Sequence, residues 1–459
     1  MQTFLLFNII ALFFLLPFEG ARFVFFGIPI YFIELAVTFF ATSILLAKNT
    51  SLSQKSQKKS VFVFPPSAIN TGILLLLGGV ITSILAAHSE SAICPLSSES
   101  FLRSLGIFKS WFLFPLLFGY SIYLASQRYF SRENVIFLFA VSFFPFGIYS
   151  LLMWLFGSGM TYDGRFESIF NSPNAFALFL TPATLLSWYF FRTRKTFLWL
   201  AYTAMFFILL FSAHSFSAWI ATFIAILSLE VVQHRITFKR LASVLSIATI
   251  FISMVAFSQR NTPRFEHFFN LDSRSSFASR VMIWKSAEKM LIDSPIFGVG
   301  PGNFQSCYLV YQQYFPPYLE WSVPEPHNIF LAFWLGSGVV GLISFCILII
   351  LWFRNTLRIY TKTENPSVLL TLMAIMLALI IHGLFDTPYW RMSLAYIFWI
   401  IFFLGILPER KALFDCTAER GCSLRTVFQK KLFFCGFRSE HAKTGKKTIS
   451  SEKQPPHNL

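Results

Sequence analysis

The side chains best suited to chemistry lie where a long apolar segment begins. Pro326, His327 and Asn328 directly precede the run IFLAFWLGSGVVGLISFCILIILWF, and the glycine-bearing stretch PIFGVGPGNF lies upstream of them. An imidazole can take and give a proton near neutral pH. Here it stands at the mouth of a candidate membrane helix, beside a polar loop. The arrangement predicts proton-transfer chemistry on a lipid-borne substrate at a membrane surface.

The composition indicates an integral membrane protein. Of the 459 residues, 55% are hydrophobic, 60 are Phe and only 13% are charged, and the mean hydropathy is +0.62. Runs such as TGILLLLGGVITSILAA suffice to cross ~30 Å of hydrocarbon as helices. The opening run lacks a basic leader and a small-residue cleavage site, so we expect an uncleaved first helix. We count about twelve spans, beginning near residues 3, 23, 68, 105, 135, 174, 197, 215, 242, 329, 367 and 392.

The distribution of Lys and Arg predicts the orientation. Basic residues fill every second connection, which places both termini in the cytoplasm by the positive-inside rule. The net charge of +16 is then mostly topological and requires no nucleic-acid partner. Residues 1–408 form the predicted all-α polytopic transmembrane domain, and residues 409–459 a basic cytoplasmic tail, disordered or on the membrane surface. The basic connections contain Lys48, Lys55, Lys58, Lys59, Arg128, Arg132, Arg192, Arg194, Lys195, Arg235, Lys239, Arg240, Arg354, Arg358 and Lys362.

One long connection, residues 260–327, is then predicted to lie outside. Long translocated loops are weakly governed by the inside bias, so their basic residues are available for an anionic substrate. A second outward connection, GSGMTYDGRFESIFNSPN, contributes Arg165, Glu167 and Asn174. Two polar segments of this kind could close over one cavity. The basic residues of the long loop include Arg260, Arg264, Arg274, Arg280, Lys285 and Lys289.

Four sequence elements occur in order between residues 164 and 391: GRFESIFNSPNAFA, SRVMIWKSAEKMLIDSPIFGVGPGNF, PEPHNIFLAFWLGSGVVGL and HGLFDTPYWR. The second and third carry Arg-x-x-x-Trp, then Pro-x-x-Gly-x-Gly-x-x-Asn-Phe, then His-Asn-x-x-Leu before a Gly-x-x-Gly helix. In this order and on a compatible topology, the elements resemble the signature of the O-antigen ligase and O-antigen polymerase superfamily.

The resemblance implies a GT-C-type membrane glycosyltransferase with one long outward-facing loop. Members take a glycan from undecaprenyl diphosphate on the outer side of the bacterial cytoplasmic (inner) membrane. The acceptor is lipid A-core in the ligases, another lipid-linked glycan in the polymerases, and Ser or Thr of a protein in the O-oligosaccharyltransferases. We expect a ligase of lipopolysaccharide or other surface polysaccharide biosynthesis. The polymerase and protein-glycosylating activities are alternatives, because fold analogy does not choose the acceptor.

The chemistry of such a transfer assigns roles to the residues. Displacing a diphosphate needs a base for the acceptor hydroxyl and positive charge for the leaving group. His327 is the predicted base, and Arg280 is the predicted diphosphate clamp because guanidinium offers paired donors and keeps its charge. Arg165 is the second candidate. The other predicted substrate-binding residues are Asn328, Arg391, Asn174 and Asn303. No cofactor or metal is expected, since Asp-x-Asp is absent.

Each role has a structural alternative. His327 and Asn328 could be an interfacial polar residue and a helix cap. Arg280 and Arg165 could pair with nearby acids on a loop surface instead of with a substrate. A secondary transporter of about twelve helices is the alternative from a different class of protein. It predicts internal repeats and ionisable residues at mid-membrane, and neither is evident in the sequence.

Two positions depart from the family pattern. Many ligases carry Ser-Arg-Gly at the outward end of a middle helix, and that arginine is thought to hold the diphosphate. Here Phe216 stands where the arginine is expected. Either Arg165 or Arg391 supplies the second charge, or the donor is held differently, or the protein is inactive as a ligase. Gly336 stands where the family has a glutamate before the glycines of the helix.

Several further residues carry narrower predictions. His382 and Asp386 are four residues apart and could hydrogen-bond across one helical turn. Cys94 and Cys307 are both predicted outside and could form a disulfide bond. Glu34, in the second apolar run, is a functional candidate because buried charge is rare. Glycines are expected in tight turns at Gly298, Gly300 and Gly302, and in close helix packing at Gly336, Gly338 and Gly341.

Overall fold

Helices dominate the structure, which is a computed structural model. It describes residues 2–18, 20–25, 28–52, 63–89, 94, 96–233, 276–315, 323–363 and 366–408, with a few single residues between 242 and 253. The chain divides into two units, Met1–Glu409 and Arg410–Leu459, and the described residues all belong to the first. The predictions for the tail from residue 409 therefore lie outside the described residues.

The helices follow one another along the described chain. A π-helical turn, Phe108–Leu113, joins α4 to α5, and a 3₁₀ turn, Gln312–Tyr314, follows α11. The helices are α1 (Gln2–Leu15), α2 (Phe32–Leu52), α3 (Ser67–Ala87), α4 (Ser98–Ile107), α5 (Phe114–Arg128), α6 (Arg132–Leu155), α7 (Pro173–Arg194), α8 (Phe197–Ser212), α9 (Phe216–Gln233), α10 (Ser276–Asp293), α11 (Phe304–Tyr311), α12 (Ile329–Tyr360), α13 (Ser367–Gly383) and α14 (Met392–Ile406).

Apolar helices make up most of the described chain. Six segments are long and apolar enough to cross a membrane: Ser67–Ala87, Glu99–Arg128, Arg132–Leu155, Pro173–Arg194, Phe216–Gln233 and Ile329–Tyr360. Five apolar segments are shorter: Gln2–Leu15, Phe32–Leu46, Phe197–Ser212, Ser367–Gly383 and Met392–Ile406. This architecture agrees with a polytopic helical membrane protein. The count of about twelve spans stays a prediction, and the span expected near residue 242 falls outside the described ranges.

The second predicted span begins later than expected. Instead of a helix from residue 23, the chain forms two antiparallel strands, β1 (Arg22–Phe25) and β2 (Ile28–Tyr31). Aromatic and β-branched residues favour strands, and Pro29 lacks the N–H that a helix requires. Helix α2 begins at Phe32. The all-α prediction was therefore wrong for this short segment.

The buried charge of Glu34 anchors the strand pair to the π-helical turn. Its carboxylate accepts from Lys109 Nζ at 2.6 Å, from Ser110 Oγ at 2.6 Å and from the backbone N–H of Tyr31 at 3.2 Å. Lys109 Nζ also donates to the carbonyl O of Pro29 at 2.6 Å. A buried carboxylate needs such compensation. These contacts give Glu34 a structural role.

Helices α3 and α12 pack so closely that only glycine fits between them. A Cβ on Gly79 would lie 2.7 Å from the backbone N of Gly341 and 2.8 Å from the carbonyl O of Ser337. Small residues allow helix backbones to approach in this way inside membranes. The predicted role of Gly341 in close packing is confirmed.

Helix α12 is broken near its first third. Gly338 has φ +69° and ψ 178°, which interrupts the helix at this residue. The predicted role of Gly338 in helix packing is therefore incomplete. The stretch from Pro295 to Gly300 fills the break: Val339 N donates to Ile296 O at 2.9 Å, and Val299 N and Gly300 N donate to Leu335 O at 2.7 and 3.0 Å. The backbone groups released by the break are therefore paired, as an apolar environment demands.

Two side chains also donate hydrogen bonds to the stretch from Pro295 to Gly300. The carbonyl O of Pro295 accepts from Trp334 Nε1 at 2.7 Å, and that of Phe297 accepts from Ser83 Oγ at 2.5 Å. Gly298, Gly300 and Gly302 have φ of +68°, +81° and +78°, which confirms the predicted tight turns. A side chain on Gly298 would lie 2.3 Å from the carbonyl O of Leu335.

A second, smaller core lies beneath α10 and α11 and contains a disulfide bond. Cys94 and Cys307 are joined, with their Cα atoms 5.5 Å apart, so the predicted pairing is confirmed. The bond ties the connection after α3 to α11. The buried residues of this core are Cys94, Ile283, Ala287, Met290, Leu291, Val299, Phe304, Cys307, Tyr308, Tyr311, Val323 and Leu335.

Two adjacent glycines of α3 provide a test of the α3–α12 contact. Alanine in place of glycine favours a helix by about 0.5–1 kcal/mol when space is free. At Gly78 nothing lies within 4 Å of an added Cβ, so Gly78→Ala should keep or raise the apparent Tm in detergent. Gly79→Ala must push α12 away, and overpacking of this kind costs about 1–3 kcal/mol. We expect a lower apparent Tm for Gly79→Ala, and equal values for the two variants would contradict the contact.

Candidate functional site

His327 stands directly before α12 in a backbone conformation that few residues adopt. Its φ is +48°, in the left-handed region where histidine is tolerated better than most side chains. Trp284 Nε1 donates to the carbonyl O of Pro326 at 3.0 Å, on one side of His327. On the other side, Asn328 Oδ1 accepts from the N–H groups of Phe330 and Leu331. The imidazole is thus held in place while 31% of its side chain stays exposed.

The imidazole of His327 faces the carboxylate of Asp386. Nδ1 of His327 lies 3.4 Å from Oδ1 of Asp386, whose side chain is 9% exposed. Burial by itself raises the pKa of Asp386, but the hydrogen bond and charge of His327, together with His382 and Arg280, outweigh burial and hold this pKa below its ordinary value. Asp386 is therefore ionised at neutral pH. A neutral His327 then carries its proton on Nδ1 and leaves Nε2 free to accept one.

Arg280 approaches the same carboxylate from α10. Its Nε donates to the carbonyl O of Phe385 at 3.0 Å, one residue before Asp386. Burial lowers the pKa of Arg280, and the negative charge of Asp386 opposes that change. The guanidinium is therefore attached to the segment that carries the carboxylate, and it keeps its charge at neutral pH.

Arg165 joins the cluster from the connection between α6 and α7. Its Nε donates to the carbonyl O of Ala213 at 3.1 Å, and a terminal nitrogen donates to Asn174 Oδ1 at 2.7 Å. Burial, and next the positive charge of Arg280, lower the pKa of Arg165 to about 10, while Asp386 opposes the change. Arg165 is protonated at neutral pH. The two guanidinium groups and Asp386 thus share one electrostatic environment, and Asn174 positions Arg165.

The structure shows what surrounds Phe216 and Gly336, the two positions that depart from the family pattern. Phe216 begins α9 and packs edge-on against Trp219, at 5.4 Å between ring centroids. Because Arg165 binds Ala213, its guanidinium reaches the segment in which the sequence lacks the expected arginine. At Gly336 a Cβ would lie 2.2 Å from the indole ring of Trp390, so the ring fills the space where a glutamate is expected.

Arg391 and Glu325 interact electrostatically beside the cluster. Arg391 stands at the N-cap of α14, a helix that is buried along its whole length. Burial raises the pKa of the half-buried Glu325 to about 8. The positive charge of Arg391 opposes this rise, and the negative charge of Asp386 adds to it. Glu325 is therefore mostly protonated at neutral pH. Arg391 acts on Glu325, whereas Arg280 and Asp386 act on Arg165.

Two of the predicted substrate-binding amides have structural partners. Asn303 is fully buried, and its Nδ2 donates to Val299 O at 2.9 Å and to Ser104 Oγ at 3.3 Å. We therefore leave Asn303 out of the site. Asn328 caps α12, as the structural alternative predicts, and its Nδ2 donates to Leu384 O at 3.1 Å. This bond fixes the start of α12 against the end of α13.

Sequence reasoning missed Glu325 and gave Asp386 a different partner. It paired Asp386 with His382, but among the described residues the side-chain partner of Asp386 is His327. These two residues are far apart in the chain, so no local pattern could reveal the pair. Glu325 had a local signal, because it stands between Pro324 and Pro326, two residues before His327.

The assembled groups could catalyse displacement of an anionic leaving group. His327 offers a base whose tautomer is set by Asp386. Arg165 and Arg280 offer two positive charges held by hydrogen bonds to Ala213, Asn174 and Phe385, which could stabilise developing negative charge. The prediction that His327, Arg280, Arg165 and Asn174 act in one site is thus compatible with their placement.

Comparison with known proteins gives one family. Residues 200–346 match the model of the O-antigen ligase family, Wzy_C, a range that holds Phe216, Arg280, His327 and the break in α12. No match is found among curated proteins. The second and third sequence elements lie within this range. This match supports membership of the chain in the O-antigen ligase and O-antigen polymerase superfamily.

Proposed function

We propose that this protein transfers a glycan from undecaprenyl diphosphate to an acceptor hydroxyl on the outer side of the bacterial cytoplasmic membrane. Within its superfamily we assign it to the ligases of lipopolysaccharide or other surface polysaccharide. The observation that carries the proposal is the placement of the His327–Asp386 pair beside Arg165 and Arg280. A base and a paired cation site are the two requirements of transfer from a diphosphate.

The reaction follows from this geometry. His327 Nε2 takes the proton of the acceptor hydroxyl as its oxygen attacks the anomeric carbon. The bond between that carbon and the diphosphate oxygen breaks, and the electron pair leaves with the lipid diphosphate. Asp386 stabilises the imidazolium that forms, since its Oδ1 faces Nδ1. The proton on His327 can pass to the departing diphosphate or to water, which restores the base.

Arg165 and Arg280 are suited to the leaving group because of their mutual repulsion. Burial lowers the pKa of Arg165, and the positive charge of Arg280 lowers it further. A diphosphate between them replaces repulsion with two attractions and accepts paired N–H bonds from guanidinium. We propose that these arginines provide the stabilisation that a divalent cation gives in other transferases, so that transfer needs no metal.

The disulfide bond supports an outward-facing site. Disulfides persist in oxidising compartments outside the bacterial cytoplasm, and Cys307 belongs to α11, in the same connection as Arg280 and His327. We therefore propose that this connection faces outward, that both termini are cytoplasmic and that the architecture is of the GT-C type. The polymerase and the protein O-oligosaccharyltransferase use the same donor chemistry and differ in the acceptor alone.

Deletion of the gene tests the assignment as a ligase. We expect surface glycan to be lost from its acceptor while full-length polymer accumulates on the lipid carrier. Immunoblots of surface glycan and analysis of the lipid-linked pool measure both quantities, and the wild-type gene restores them. Short glycans that are still attached would indicate a polymerase. Unchanged surface glycans and glycoproteins would contradict the proposed function.

Substitution of His327 tests the base. His327→Ala should lower transfer by ~10² to 10⁴, the usual contribution of a general base, while the amount of protein in the membrane and its apparent Tm stay close to wild type. His88→Ala is the matched control, because His88 bonds the carbonyl O of Ile84 and lies against Phe101. Transfer by His327→Ala at close to the wild-type rate would remove His327 from the mechanism.

Arg280→Lys separates charge from geometry. Lysine keeps the charge and loses the paired donors of guanidinium, so we expect transfer to fall by about tenfold or more, the effect of losing a hydrogen bond to a charged group. Arg192→Lys makes the same change in an exposed pair with Glu230 and should leave the rate intact. Equal rates for wild type and Arg280→Ala would show that Arg280 does not act on the substrate.

A further inference from the structure

The last turn of α13 holds a histidine that the proposed mechanism leaves without a role. His382 is fully buried, and within the described chain neither of its ring nitrogens has a hydrogen-bond partner. Burial of a polar group without a partner destabilises the folded state. A residue with no polar atoms would pack at this position without that cost, so the imidazole calls for an explanation.

The complementary group lies one helical turn away. Asp386 Oδ2 is also buried and has no hydrogen-bond partner among the described residues, whereas its Oδ1 faces His327 and accepts from Thr387 N at 2.9 Å. Asp386 and Arg280 are the charged groups that act on His382. Among the described residues, an imidazole N–H without an acceptor thus stands four residues before a carboxylate oxygen without a donor, and each has the hydrogen-bonding capacity that the other lacks.

We propose that His382 is a positioning residue that acts through Asp386 on His327. Its N–H holds Oδ2 of Asp386, directly or through one bound water, so that Oδ1 stays aimed at Nδ1 of His327. His327, Asp386 and His382 then form a linear array that extends from the exposed base into the protein core. The inference deepens the proposed function and rests on His327 being the base.

The array explains why Asp386 must be held at both carboxylate oxygens in order to orient His327. Asp386 belongs to the connection between α13 and α14, and Thr387 N donates to its Oδ1, the oxygen that faces His327. A carboxylate that is held at one oxygen can rotate, and rotation withdraws the acceptor that fixes the tautomer of His327. The charged groups around Asp386 are His327, His382, Arg280, Arg165 and Glu325. Among them, His382 is the residue that belongs to α13, the helix directly before the connection that carries Asp386.

Variants of His382 separate positioning from packing. His382→Phe keeps the aromatic volume and removes the donor, whereas His382→Asn and His382→Gln keep a donor near the positions of Nδ1 and Nε2. We expect His382→Phe to lower transfer by about 10- to 100-fold, the range for loss of a hydrogen bond to a charged group. His382→Asn or His382→Gln should recover part of that loss. Rates are divided by the amount of folded protein in the membrane.

A double-mutant cycle with Asp386→Asn tests whether the effect passes through Asp386. If it does, His382→Phe lowers the rate in the wild-type background and has little further effect in Asp386→Asn. Equal losses in both backgrounds would overturn the proposal, since a packing defect acts independently of Asp386. Wild-type transfer by His382→Phe, or recovery by neither amide variant, would overturn it as well.

The failure of this inference is distinct from failure of the proposed function. If His327→Ala is inactive while His382→Phe transfers at the wild-type rate, the function stands and the role of His382 is wrong. If His327→Ala is active, the proposed base is wrong, and the role of His382 falls with it.

Discussion

The structure depends on the pairing of backbone groups at the break in α12. An interrupted helix in an apolar environment releases N–H and C=O groups that must find partners within the protein. The stretch from Pro295 to Gly300 supplies them through bonds to Leu335 and Val339. This contact sets the position of the short helical piece before Gly338, and hence of His327 at its start. It also sets the position of α10 and Arg280, which precede the same stretch.

The break in α12 explains why glycines occur at Gly298 and Gly338. Gly298 and Gly338 each bring a backbone within 2.4 Å of where a Cβ would stand, and both have positive φ. These are positions for close contact between backbones. The pairing of the stretch with α3, through Ser83 and Phe297, and the disulfide from Cys307 add further attachments. The result is a rigid support beneath an exposed base, which is what precise catalytic geometry requires.

Asp386 is the electrostatic centre of the candidate site. It faces His327, it opposes the loss of charge on Arg280 and Arg165, and it makes ionisation of Glu325 less favourable. One carboxylate thus acts on ionisable groups of three separate segments: α10, the connection before α7 and the residues before α12. The arrangement also accommodates the departures from the family pattern, because Arg165 docks on Ala213 beside the segment that lacks its arginine, and Trp390 fills the space beside Gly336.

The sequence by itself determined the class of the protein and the family. Apolar runs of sufficient length predict membrane helices, and the motifs around Arg280 and His327 are contiguous, so both can be recognised locally. The tight turns at Gly298, Gly300 and Gly302 were predictable for the same reason, and so was the cap formed by Asn328. The strand pair before α2 was missed, because apolar aromatic and β-branched residues satisfy a strand as well as a helix.

Tertiary structure alone decided which residues meet. The pairing of His327 with Asp386, the docking of Arg165 on Ala213 and the burial of Asn303 involve residues far apart in the chain. The break in α12 was hidden because Gly338 reads as one more small residue on a helix face, and its conformation depends on a distant segment that pairs with the released backbone groups. Local patterns report on neighbours within one or two helical turns. Contacts between distant helices are fixed by packing and by the need to satisfy buried polar groups. These constraints involve residues from many parts of the chain at once.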